Sequence, residues 1–167
     1  MMDIVGIPQA RMSRLKRDRK LVKKLEELAG VKITLEDSVE IDCDDPVKAM
    51  SVKSVIKAFG RGFGMEDALY LLDESYELCI IDVKDFAKSA KRGDELKGRV
   101  IGSAGKTKNI IEKLANVKVS IYGKTISIIG KWDNVQLASQ AVCMLLEGRK
   151  HTGVYKFLDE NIKRVKY

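Results

Sequence analysis

The sequence predicts an α+β protein. It reads as two tandem copies of one β-α-α-β-β-α unit, each a three-stranded antiparallel sheet packed on helices, followed by a C-terminal helix. Three observations predict this. The chain repeats itself at an offset of 86 residues, later 88. Each copy alternates short β-branched runs with stretches of helical periodicity. Finally, 167 residues at 45% hydrophobic and 33% charged suit one medium domain or two small ones of ordinary globular composition.

The repeat emerges when Leu15–Lys20 is placed on Ile101–Lys106. Leu25, Glu26, Leu28, Ala29, Val31, Lys32 and Ile33 then fall on Ile111, Glu112, Leu114, Ala115, Val117, Lys118 and Val119. Five of these pairs are identical or exchange aliphatics, and Glu26/Glu112 and Lys32/Lys118 are identical too. Two extra residues then enter the second copy, after which Val47 meets Val135, Ser51 meets Ser139 and Gly60-Arg61 meets Gly148-Arg149. Copies of about 70–90 residues point to tandem domains rather than a solenoid.

In the first copy, Asp3–Ile7 reads as a strand and Gln9–Leu15 as a weak segment before a helix over Arg19–Ala29. Val31–Leu35 and Val39–Cys43 pair as strands, and a helix covers Pro46–Phe59 with Pro46 at its first position. Gly60–Gly64 is breaker-rich, and Glu66–Leu72 adds an interdomain helix. In the second copy Glu77–Val83 is a strand and Asp85–Lys97 a short helix and a loop, with Asp85 as the helix cap. A Gly-x-x-Gly turn follows, then a helix over Lys106–Ala115. Lys118–Tyr122 and Thr125–Ile129 form a hairpin about Gly123-Lys124. Asp133 or Asn134 caps a helix to Leu146, closed by Gly148. Val154, Phe157, Leu158 and Ile162 recur at helical spacing in the tail, which is expected to pack on the body. The resulting division is a first domain at 1–62, a linker and helix at 63–75, a second domain at 76–150 and a tail at 151–167.

Charge is unevenly spread. The net charge is +7, but residues 1–75 hold 13 Lys+Arg against 14 Asp+Glu while residues 76–167 hold 18 against 10. The second half therefore carries the whole excess, and a basic balance favours an anionic partner. Within the first half, Arg11–Lys24 has eight bases and one acid, whereas Glu36–Asp45 has six acids and no base. The acidic stretch is a solvated surface or a face that repels nucleic acid. Cys43, Cys79 and Cys143 are far apart and odd in number, without metal spacing. They read as small core residues in a reducing cytosol, so the expected localisation is cytoplasmic. No apolar run approaches the roughly 18–20 residues that span a membrane. The N-terminus lacks the pattern of a secretory leader.

The segment that carries chemistry is Arg99-Val100-Ile101-Gly102-Ser103-Ala104-Gly105-Lys106-Thr107-Lys108. Two glycines three apart make a turn that tolerates positive φ and lets the backbone come close to an anion. The free N–H groups and dipole of the following helix then face that anion, and Arg99, Lys106 and Lys108 add charge. By itself Gly-x-x-Gly also describes an ordinary tight turn. In the first copy, Lys16-Arg17-Asp18-Arg19 replaces it, with both glycines missing.

With the element order in hand, both copies resemble KH domains of the eukaryotic type I topology. The chain resembles, over nearly its whole length, the short archaeal form of a narrower family, the tandem-KH ribosome-assembly proteins known as the partner of the Nob nuclease. The likeness rests on Arg99-Val100-Ile101-Gly102, on Gly105-Lys106-Thr107-Lys108, on the glycine-less first turn, and on Gly62-Phe63 with Glu66-Asp67-Ala68-Leu69. Many KH domains carry an aliphatic where Lys108 stands, and a basic or Gly-containing pair where Ser103-Ala104 stands. That departure leaves more of the phosphate contact to Arg99, Lys106 and Lys108. The resemblance implies a non-catalytic protein that binds the 3′ region of small-subunit ribosomal RNA or its precursor. It also implies contact with the nuclease that trims that end and with the alpha subunit of translation initiation factor two. No cofactor or metal is expected.

The expected RNA site is a groove that clamps about four nucleotides. Its wall is Gly102, Ser103, Ala104, Gly105 and the start of the next helix. Ile101, Ile110, Val119 and Ile121 are candidates for its floor, and equally for core. The first copy, whose side chains would hold a backbone away from a phosphate, suits a protein-contact role. The alternative function is accordingly a scaffold that links a nuclease or an initiation factor to RNA.

Other signals fail on spacing. A P-loop ending at Gly105-Lys106-Thr107 needs glycine at position 100, which is Val100. Arg61-Gly62-Phe63-Gly64 opens like an RNP1 box, but Met65-Glu66 breaks it. His151, the single histidine, has no paired Cys or acids that would make a nucleophile system or a metal site.

Overall fold

The computed structural model describes residues 2–165, and side-chain surroundings for residues 2–163. The chain divides into two compact units, Met1–Tyr76 and Glu77–Tyr167.

The first unit runs β1 (Met2–Val5), α1 (Gln9–Arg17), α2 (Arg19–Ala29), β2 (Lys32–Leu35), β3 (Val39–Asp42), α3 (Pro46–Gly60) and α4 (Met65–Ala68), then a 3-10 turn at Leu69–Leu72. Its antiparallel sheet has the order β1-β3-β2, with Ile41 opposite both Asp3 and Ile33. Leu15, Leu25, Ile41, Ile56 and Phe59 are fully buried. The weak segment at Gln9–Leu15 is a full helix that continues to Arg17, because Met12 and Leu15 bury one face of it. The first strand stops at Val5, short of the expected Ile7. Asp45 caps α3 by accepting from the Val47 and Lys48 N–H groups, with Pro46 in the first turn.

The second unit repeats the order with β4 (Tyr76–Asp82), a 3-10 turn at Val83–Asp85, α5 (Ala90–Ile101), α6 (Lys106–Ala115), β5 (Lys118–Tyr122), β6 (Thr125–Lys131) and α7 (Trp132–Leu146). It adds α8 (His151–Val165). The sheet order is β4-β6-β5, and Tyr122 pairs with Thr125 across Gly123-Lys124. One core joins α5, α6, the sheet, α7 and α8 through Leu96, Ile111, Ile128, Leu145 and Leu158.

Three local expectations are corrected here. The region 85–97 is not a short helix plus loop: α5 runs unbroken from Ala90 to Ile101, with Gly93 and Gly98 inside it. Its cap is Ser89, whose side chain accepts from the Arg92 N–H, while Asp82 serves the 3-10 turn. Asp85 caps neither helix. β6 extends to Lys131, so α7 starts at Trp132 and neither Asp133 nor Asn134 is its cap. Asp133 instead sits in the first turn, where its charge complements the helix dipole. Gly148 follows the C-cap Glu147 at φ 94°, and the Arg149 N–H returns to the Met144 carbonyl.

Candidate functional site

α5 ends at Ile101 and α6 begins at Lys106, so the whole connection is Gly102–Gly105. Three of its four residues have positive φ: Gly102 (74°), Ala104 (53°) and Gly105 (75°). The two glycines do different work. Gly102 has ψ 172°, a region essentially confined to glycine. A Cβ there would meet Thr107 Oγ1 at 2.3 Å and Thr107 N at 2.7 Å. Gly105 is left-handed, and a Cβ there would meet nothing within 4 Å. Gly102 therefore packs the turn onto α6, while Gly105 leaves an open surface at the head of the helix. Among the described residues no side chain caps α6, and the Lys106 N–H at its head donates back to the Ser103 carbonyl; the N–H groups that follow in a helix's first turn lack an intrahelical acceptor.

The back of the turn is held by α7 and α8. Thr107 is buried, and its Oγ1 accepts a hydrogen bond from Tyr155 Oη at 3.1 Å. His151 Nε2 lies 2.8 Å from the Arg99 carbonyl oxygen. Arg99 Nε donates to the Leu145 carbonyl at 3.0 Å, and its terminal nitrogen donates to the Arg149 carbonyl. Arg99 thus closes the C-terminal end of α7, where a cation belongs. Its fork faces the fold rather than the open side of the turn. His151, dismissed as a catalytic or metal residue, has a structural task, and no sequence pattern announced it.

The remaining expected residues divide by exposure. Lys106 is exposed and Lys108 half-buried, and neither has a carboxylate partner among the described residues. Ser103 and Ala104 are exposed. Ile101 is 37% exposed at the end of α5. Ile110 is half-buried one turn beyond Lys106, on the same face of α6. Ile121 is half-buried on β5 against the core. Val119 does not join them: at 4% exposure it is core, because it faces inward on the pleat opposite Ile128. The turn, Lys106 and Ile110 thus lie at one end and on one face of α6, with Ile101 at the end of α5 before the turn and Lys108 round the helix from that face, while Arg99 and Val119 are turned into the fold.

This arrangement offers an open backbone surface, two uncommitted lysines and a short apolar margin, which together suit an anionic chain with exposed apolar faces. The family model for the second KH domain of PNO1 proteins, a eukaryotic-type (type I) KH domain, matches residues 77–163. A KH domain-containing protein of Methanocaldococcus jannaschii is 38% identical, over 98% of this chain and 75% of its own length. The RNA-binding protein pno-1 of Caenorhabditis elegans is 32% identical over 69% of this chain, which spans only 43% of that relative. Among solved structures, a chain of the a/eIF2alpha-aDim2p-rRNA complex from Pyrococcus horikoshii is similar with a TM-score of 0.89 and 32% identity, over 98% of this chain and 95% of that one.

Proposed function

The chain belongs to the PNO1 family of KH-domain proteins, and from that premise we propose that it is a non-catalytic, cytoplasmic RNA-binding factor of small-subunit ribosome assembly. It holds single-stranded RNA from the 3′ region of the small-subunit ribosomal RNA, or its precursor, at Gly102–Gly105. The observation that carries the reading is the turn itself: an uncapped helix start behind an open, left-handed Gly105, flanked by lysines without acid partners. The structural neighbour that contains rRNA and a/eIF2alpha supports both RNA and the alpha subunit of initiation factor two as partners. Contact with the trimming nuclease belongs to the same proposal.

In this reading a phosphate meets the N–H groups at the head of α6, where the helix dipole favours negative charge. Lys106 and Lys108 neutralise the phosphates on either side. The backbones of Ser103 and Ala104 line the approach, while Ile101, Ile110 and the visible part of Ile121 give apolar contact to unstacked bases. Arg99 is a positioning residue.

The test is RNA affinity by fluorescence anisotropy in the Gly105→Asp and Gly105→Asn variants. Asn tolerates left-handed backbone and carries no charge, so it isolates the carboxylate. Gly105→Asp is expected to weaken binding at least tenfold, about 1.4 kcal/mol, and Gly105→Asn far less. Neutralising about three phosphates gives a log–log salt slope near −2 on single strands. A folded Gly105→Asp protein with wild-type affinity sinks the proposal.

A further inference from the structure

A second concavity lies in the same unit, away from the turn. Its walls are the 3-10 turn at Val83–Asp85, the first two turns of α5 and the hairpin tip Gly123-Lys124, and its volume is about 500 Å³, within the range of sites that hold small organic groups. The walls are pinned together. The Val83 N–H donates to the Lys124 carbonyl at 2.9 Å. Lys97 Nζ donates to the Gly123 carbonyl at 2.9 Å and pairs with Asp94 at 3.2 Å, which also neutralises the one carboxylate in the lining. The floor is small and apolar: Val83, Ala87 and Gly93, where even an added Cβ would find only Val83 Cγ1 at 3.7 Å and Ala87 Cβ at 4.0 Å. Around it stand Lys84, Lys88 and Lys124, all exposed and without a carboxylate partner among the described residues.

We infer that this pocket holds a further nucleotide of the same RNA strand, with its base against the Val83–Ala87–Gly93 floor and its phosphate among Lys84, Lys88 and Lys124. A small apolar floor ringed by cations matches the two halves of a nucleotide. α5 connects the two sites directly. Gly93 and Gly102 are nine residues apart along α5, about 14 Å on the helix axis. The inference rests on the turn being an RNA clamp, and it extends that clamp into a longer track.

The experiment compares the intact protein's affinity for a clamp-length RNA of about four nucleotides with RNAs lengthened by about four at the 5′ or the 3′ end. It is run at 0.15 M salt, where charges 14 Å apart are screened. Lengthening at one end is expected to raise wild-type affinity at least tenfold. The triple variant K84E/K88E/K124E should lose that gain and bind the short RNA as wild type does. A control triple at exposed lysines outside the pocket, K113E/K131E/K156E, should keep it. No gain at either end, a gain that survives the pocket triple, or equal loss in the control triple each overturns the inference. If Gly105→Asp leaves short-RNA binding unchanged, the clamp reading fails and takes the pocket with it. If Gly105→Asp abolishes binding but lengthening brings nothing, the pocket alone fails.

Discussion

In the first unit, one residue joins the helix pair: Asp18, at φ −117° and ψ 82°, ends α1 and starts α2. In the second unit the corresponding helices are joined by four residues, three of them at positive φ. Several ties around the two joints are shared. Arg11 donates through Nε to the Phe59 carbonyl and through its terminal nitrogen to the Phe63 carbonyl, each at 2.8 Å. Arg99 does the same at Leu145 and Arg149, with the same spacing of four residues. Glu26 accepts the Ile33 N–H at 3.0 Å, and Glu112 accepts the Val119 N–H at 3.0 Å. α2 closes on left-handed Gly30 and α6 on left-handed Asn116. The comparison teaches that the frame does not make a clamp. The proposed clamp rests on the four-residue glycine connection, and the first unit keeps the frame without it.

The largest effect that sharpens this contrast is on Gly102. Gly102→Ala places a Cβ into Thr107 in a glycine-only conformation, and a loss of about 3 kcal/mol is expected in chemical unfolding. Gly105→Ala, with open space and only a left-handed backbone to strain, should lose about 1 kcal/mol. Equal losses would break the division of labour between the two glycines. Next come the two arginines. Arg11→Met and Arg99→Met each strip charged hydrogen bonds from helix-end carbonyls, so each should lose about 1.5–3 kcal/mol. If Arg99→Met keeps full stability but reduces the salt slope of RNA binding by about one phosphate, Arg99 is a ligand contact after all. The glutamates follow at about 1 kcal/mol each. Glu26→Ala and Glu112→Ala should cost the same, and a marked inequality would show that the shared tie is not equivalent in the two units. The smallest effect concerns thiols. Burial first, then the Glu77 charge and Cys143, raises the pKa of Cys79, while burial and then Glu147 raise that of Cys143. At pH 8 both hold less thiolate than a free cysteine and should alkylate more slowly with iodoacetamide in single-cysteine variants. A rate equal to that of free cysteine would refute this.

Several of these features were legible beforehand. The Glu26/Glu112 identity was visible in the repeat, though not the N–H group that each accepts, and Gly102-x-x-Gly105 stood at the boundary between two helices where the structure has it. Arg99 was legible as a charge, but its clasp on the end of α7 was not. Its partners are carbonyls about fifty residues away, and a backbone carbonyl has no sequence identity to detect. His151 and Tyr155 escaped for the same reason, because they act on a carbonyl and on a buried threonine across the fold. Val119 and Ile121 lie two residues apart on the same face of one strand, and nothing local separates a core valine from a half-buried isoleucine. The helix start at Ala90 was hidden by Gly93 and Gly98, whose helical cost is offset by packing of Leu96 and Val100 that only the assembled core supplies.

What the sequence determined by itself is everything carried by local chemistry: the repeat, the order of strands and helices, the concentration of positive charge in the second half, and the glycines that permit the turn. What only the tertiary structure decided is which of those groups remain free. Arg99 is committed to the end of α7, Val119 lies on the core face of β5 and Gly102 packs on Thr107, while Lys106 is exposed and Lys108 and Gly105 stay partly accessible. The physical reason is that a side chain's availability depends on what occupies its surroundings. Those occupants arrive from segments far along the chain, through packing and backbone hydrogen bonds that leave no local trace.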